Sequence, residues 1–183
     1  MTANSLPIDT PLLRLRHIVV EDAVRMMELN GEPSTGRWLP SHVYADVAVA
    51  TSRISYLVSC YSSPGDPRLG PYVLAVEHRS TATLLGHIGF SPFRSDVEVS
   101  YAIAENSRGR GYGSEALLHA CRWAAQTFGL PSLLAITESE NEPSRRTLDR
   151  VGFVHDADMV MQFQGSSQAV SRYVWRATRH AAQ

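Results

Sequence analysis

The sequence lacks several features that would assign a function at once. Its 17 Lys and Arg offset 18 Asp and Glu to a formal charge of −1, so no surface-wide positive field draws in nucleic acid or an anionic membrane. Any anion site has to be local. The two cysteines, Cys60 and Cys121, match no metal-ligand spacing, and the seven histidines are scattered; reduced core thiols and no metal are expected. No apolar run approaches bilayer length, and the opening MTANSLPIDTPLLRLR has neither the basic start nor the apolar stretch of a secretion signal. A cytoplasmic protein with no membrane partner is the expectation.

What is present suits one well-filled domain spanning 1–183, since 44% of the residues are hydrophobic and two domains would each be short of core. LLRLRHIVV reads as a strand and EDAVRMMELN as a helix. GEPSTGRWLP reads as a loop, and Val43 to Cys60 as one or two helices. YVLAVEH, TATLLGHIGF and DVEVSYAIA form an antiparallel meander. A helix then runs from Tyr112 to Phe128, closed by Gly129, and Leu133 to Thr137 is a strand buried on both faces. Asn141 caps a short helix that ends at Gly152, and HDADMVMQFQ and AVSRYVWRA pair around a GSSQ turn. The order specifies an α/β fold (α+β in some schemes): a mixed central sheet of about seven strands with helices on both faces.

The segment SRGRGYGSEALLHACRWAA places glycines at 109, 111 and 113 where that long helix begins. The first turn of a helix leaves backbone N–H groups without acceptors, and the aligned peptide dipoles add positive character there. An anion is the natural occupant. Glycines strip away the Cβ atoms that would hold a phosphate off, and Arg108 and Arg110 add charge; the competing reading is that the glycines only serve a left-handed turn. A P-loop is argued against, because Ser114 and Glu115, not Lys and Ser or Thr, follow Gly113. Dinucleotide binding fits poorly, since the spacing is Gly-x-Gly-x-Gly and polar residues separate it from the strand.

Arg108-Gly109-Arg110-Gly111-Tyr112-Gly113 resembles the Gln/Arg-x-x-Gly-x-Gly/Ala signature of the GNAT superfamily of acyl-CoA-dependent N-acyltransferases. With TPLLRLRHIVVEDAVRMMEL, EVSYAIAENSRGRGYGSEAL and NEPSRRTLDRVGF in the family's order, the chain looks like the RimJ/RimL branch, which contains ribosomal-protein N-terminal acetyltransferases, from about Pro11 to Ala177. The resemblance implies the GNAT fold and acetyl-CoA as acyl donor, its diphosphate on the N–H groups from Arg108 to Ser114. It implies a pantetheine arm along the strand near Ile103, an Asn141 contact to that arm, and Arg146 near the phosphate end.

Amine acylation by a thioester needs a neutral nitrogen and a stabilised oxyanion, and orientation alone contributes roughly 7–11 kcal/mol. Glu98 is the candidate base. It shares a strand face with the small residues Ser100 and Ala102, and burial would raise its pKa toward the useful range. Glu138 and Glu140 are reserves. The family's usual tyrosine acid is replaced by Leu148, and the resemblance offers Ser144 as donor to the sulfur. His87 reads as half exposed, Tyr101 and Trp123 as core, and Glu115 as a first-turn helix residue. The acceptor, a primary amine on a protein N-terminus or a small molecule, is expected between 31–60 and the turn at 164–168, where Trp38 and Tyr44 are candidate lining. A homodimer through the last strands is compatible with the pattern. A non-catalytic acyl-CoA-binding module is the alternative to an enzyme.

Overall fold

The computed structural model describes residues 5–163 and 165–177. One sheet of eight strands has the order β1-β2-β3-β4-β5-β6-β8-β7. Its members are β1 (Ile8–Asp9), β2 (Leu13–His17), β3 (Tyr72–His78), β4 (Leu84–Phe93), β5 (Asp96–Ile103), β6 (Ser132–Glu138), β7 (Val154–Phe163) and β8 (Ser166–Arg176). The eighth strand beyond the seven expected is β1, whose two residues pair with Leu15 and Arg14 and carry the sheet upstream of Pro11. All strand pairs are antiparallel except β5 with β6.

Among the described residues, five α-helices cover both faces. On one lie α1 (Ala23–Asn30), α2 (Pro33–Trp38) and α3 (Val47–Ser59), with Met26, Ile54 and Leu57 packed on Val73 and Ala75 of β3. On the other, α4 (Tyr112–Phe128) and α5 (Glu142–Val151) bury Leu117, Ala120, Cys121, Ala124 and Leu148 against the opposite side chains of the same strands. Each leucine so buried contributes on the order of 1.5–3 kcal/mol. The central strand β6 is buried from Leu133 to Thr137, as its unbroken apolar run requires.

Three local expectations change, and a fourth, for Val43 to Cys60, is narrowed to one of its two forms. GEPSTGRWLP is not a loop, because Pro33 starts α2 at a position where its missing N–H costs nothing. Val43 to Cys60 yields one helix, begun where Asp46 accepts from the Val49 N–H at 2.8 Å. The strand at Leu12 ends by His17, giving way to a 3-10 turn at Val20–Asp22. Ser166 to Gln168 belong to β8 rather than to the turn, which passes through Gly165; Gln164 lies outside the described residues.

The feature that positions the site is β5. It pairs with β4 at eight positions, from Phe93↔Asp96 to Gly86↔Ile103. The approach is close: a Cβ on Gly86 would lie 2.1 Å from the Ala102 carbonyl oxygen. Toward β6, β5 pairs only at Glu98↔Leu134. The Ala104 N–H donates to Leu85 O, a bond that continues the antiparallel ladder and turns the polar groups of Ala102 and Ser100 toward β4. Those of Tyr101 and Ile103 therefore face the gap where β5 and β6 separate.

Candidate active site

The gap opens into a cavity of about 570 Å³. Its walls unite residues that the sequence scatters: Ile103, Arg108, Gly109, Gly111, Tyr112, Gly113, Ser114, Asn141, Ser144 and Arg146 all line it. Two expected residues do not. Arg110 is exposed outside the wall, and Glu98 sits just beyond the lining residues Val99 and Ser100 at the closed end of the gap.

At one end of the cavity, Gly109 and Gly111 have φ of +75° and +84°, left-handed values that side-chain-bearing residues adopt only with strain. A Cβ at either position would meet nothing within 4 Å. The space in front of them is open: the glycines make a left-handed turn and leave the approach to it clear. The Glu115 N–H makes the first α4 bond to Gly111 O at 3.0 Å, so the N–H groups of Tyr112, Gly113 and Ser114 have no helical acceptor. Gly113 differs, because a Cβ there would rest 3.6 Å from Ile103 in ordinary contact. Glu115 turns away from this end, its carboxylate accepting from Thr10 Oγ1 and from the Leu12 N–H at 3.3 Å.

Arg108 does more than add charge. Its Nε donates to Ile103 O at 2.7 Å, and its two terminal nitrogens donate to Ser34 Oγ and Thr35 Oγ1. Glu105 accepts from the Ser34 N–H at 2.9 Å, while the Glu105 N–H donates to Glu32 at 2.8 Å. These bonds fasten α2 to the glycine turn. Of the open β5 edge, the Ile103 carbonyl thus already accepts from Arg108, while the Ile103 N–H and the Tyr101 backbone groups face the gap.

On the opposite wall, Asn141 caps α5 through Oδ1, accepting from the Ser144 N–H at 3.2 Å. Arg146 lines the cavity while paired with Glu142 at 2.8 Å. Arg150 lines it too, and the spacing of four residues from Arg146 on one helix was the available signal for it. Leu148, at the position where the resemblance implies a tyrosine acid, is buried in the same wall. Tyr101 corrects the reading as plain core: its ring packs on the core, but its hydroxyl reaches the cavity wall, 3.0 Å from Ser144 Oγ. Burial raises the Tyr101 hydroxyl to about 12.

Glu98 is partly buried, and that burial raises its carboxyl to about 7. Glu138 lines the cavity; Glu140 instead makes an exposed 3.7 Å pair with Arg37 of α2. Trp38, Leu39 and Phe163 close the far end, whereas Tyr44 packs with the α1–α3 core away from it. His87 is buried, not half exposed. It bonds Asn30 Oδ1 at 3.0 Å, and desolvation lowers it to about 3, so it is neutral.

Comparison with known proteins agrees with this architecture. The family described as acetyltransferase (GNAT) domain matches residues 13–154. The chain is 26% identical over 149 residues to the uncharacterised N-acetyltransferase YoaA of Bacillus subtilis, covering 80% of this chain and 81% of that protein. Among solved structures, ribosomal-protein-S5-alanine acetyltransferase from Vibrio fischeri superposes with a TM-score of 0.81 at 16% identity, over 97% of this chain and 100% of that one. The ribosomal L7/L12 α-N-protein acetyltransferase RimL, solved with coenzyme A, gives 0.77 at 14% identity, over 91% and 95%.

Proposed function

The chain belongs to the acetyltransferase (GNAT) domain family, and from that premise we propose that acetyl-CoA is its acyl donor and a primary amine its acceptor. It is an N-acetyltransferase. The observation that carries the donor is the single pairing of β5 with β6, opening directly onto the left-handed glycines before α4. Tyr112, Gly113 and Ser114 hold the diphosphate through their N–H groups, with Arg146 and Arg150 adding charge from α5. The pantetheine arm takes the place of a missing strand, its amides paired with Tyr101 and the Ile103 N–H and bordered by Asn141. That coenzyme A occupies RimL supports this assignment.

Followed from Ile103 toward Glu98, the gap brings the thioester beside Tyr101 and Ser144. Thioester activation is supplied by the donor. The chain supplies placement and a base: Glu98, beyond Ser100, takes the amine proton through water. The acceptor enters between α2 and the β7–β8 turn, past Trp38 and Phe163, and is a protein N-terminus or a small amine. A non-catalytic module was suggested by Leu148; the Tyr101–Ser144 hydroxyl pair in the same wall supports the catalytic reading. We place the protein in the cytoplasm. A homodimer would form at the last strands, where among the described residues β7 pairs only with β8.

The test is calorimetric titration with acetyl-CoA followed by thiol release across a panel of peptides and small amines. Binding, with release accelerated by at least one acceptor class, is expected. Absence of coenzyme binding would overturn the donor assignment; binding without release on any amine would favour the module.

A further inference from the structure

Tyr101 and Ser144 come from different elements, the C-terminal half of β5 and the first turn of α5, yet their hydroxyl oxygens lie 3.0 Å apart at the cavity wall. The phenol hydrogen has two acceptors in reach, Ser144 Oγ at 3.0 Å and the Ser144 carbonyl at 3.2 Å. Donation to Oγ is the shorter bond. In that arrangement Ser144 Oγ accepts from the phenol and its own hydrogen points to a third atom, and Asn141 fixes the turn that carries Ser144. We propose that Tyr101 is a positioning residue for the leaving group: it donates to Ser144 Oγ, so that Ser144 donates to the sulfur and the pair stabilises the departing thiolate. The assignment rests on the acetyl-CoA reading above.

Magnitudes decide between hydrogen bonding and proton donation. Tyr101 sits at about 12, whereas an ordinary thiol ionises near ~8.5, so transfer to the thiolate is uphill by roughly a thousandfold. The proton stays on oxygen. In the complete step the amine nitrogen bonds to the acyl carbon, the carbon–sulfur bond breaks with its electron pair on sulfur, and Glu98 takes the nitrogen's proton. Glu98, at about 7, returns that proton through water to the thiolate, a downhill transfer. Nothing is left over: one proton leaves nitrogen and one arrives on sulfur. The titratable group of α4 facing Tyr101 is Cys121, whose thiol burial pushes upward and keeps neutral. Thr147 adds a hydroxyl from α5, and Glu138, Arg108, Arg146 and Arg150 supply the cavity's charge. All are shared by wild type and variants, so a difference between them isolates the pair.

The experiment titrates the thiol of coenzyme A bound to the full chain by its ultraviolet thiolate absorbance, as a difference from protein alone, in wild type, Tyr101→Phe, Ser144→Ala and the double variant. The bound thiol should ionise at lower pH in wild type than in Tyr101→Phe, by about one pH unit. Ser144→Ala should shift it at least as far, and the double variant no further than Ser144→Ala. With an active acceptor, kcat should fall about tenfold in Tyr101→Phe with KM for acetyl-CoA unchanged. Ser144→Thr, which keeps a hydroxyl, should recover most of the loss and serves if Tyr101→Phe does not fold. Identical thiol titrations in all variants, or effects that multiply in the double variant, would overturn the proposal. Failure of wild type to bind coenzyme A would instead strike the donor assignment.

Discussion

The two edges of β5 are opposites. Its β4 edge is closed by eight register pairs and a glycine that admits no Cβ; its β6 edge is joined at Glu98 alone. A strand edge with unmet N–H and C=O groups attracts another strand, and here the gap is flanked by α4, α5 and α2. The closed edge is held rigid; on the proposed donor assignment the open one recognises the donor by backbone, and the donor side then needs few special side chains.

Breaking the comparison at its junction should have the largest effect. Glu98→Gln, where the edges diverge, should lower kcat/KM by roughly 10²–10³ at neutral pH. In wild type the rate should rise as pH passes through about 7, where the carboxyl ionises, and the variant should lose that limb. The sign for stability is opposite. A folded pKa of about 7 lies above the unfolded value, so wild type loses stability as pH rises from the unfolded pKa to about 7. Glu98→Gln should therefore melt higher than wild type above neutrality, and the thermal difference should close in acid.

Gly86→Ala attacks the closed edge. Its Cβ would collide with the Ala102 carbonyl at 2.1 Å, so a loss of about 3 kcal/mol in denaturant unfolding is expected. Gly111→Val attacks the open side: a valine at φ of +84° is strained and projects into the open space before α4. Coenzyme affinity by calorimetry should fall tenfold or more. Gly113→Ala sharpens the contrast with the smallest change. The added methyl makes ordinary contact with Ile103, so melting should hold or rise by up to ~1 kcal/mol of helix propensity, with affinity falling far less than in Gly111→Val.

The same contrast explains what could be read in the sequence. The proposed donor side is built by contiguous residues, and glycine spacing before an amphipathic helix records it in the seven letters from Arg108 to Ser114. The proposed acceptor side is assembled across the chain. PSTGRW has no apolar periodicity, and α2 is tied down by Glu105, 71 residues beyond Ser34, and by Arg108. Tyr101 follows the inward alternation of Val97 and Val99, which places its ring correctly but says nothing of a hydroxyl bonded 43 residues away. His87 looked half exposed because strand alternation cannot foresee that α1 delivers Asn30 to cover it.

Amide hydrogen exchange, with and without acetyl-CoA, tests the open edge most directly. The account predicts strong added protection at Tyr101, Ile103 and the N–H groups of Tyr112 to Ser114, with β4 from Leu84 to Phe93 unchanged. Coenzyme that binds with these amides exchanging as before, or that protects another part of the chain, would contradict it.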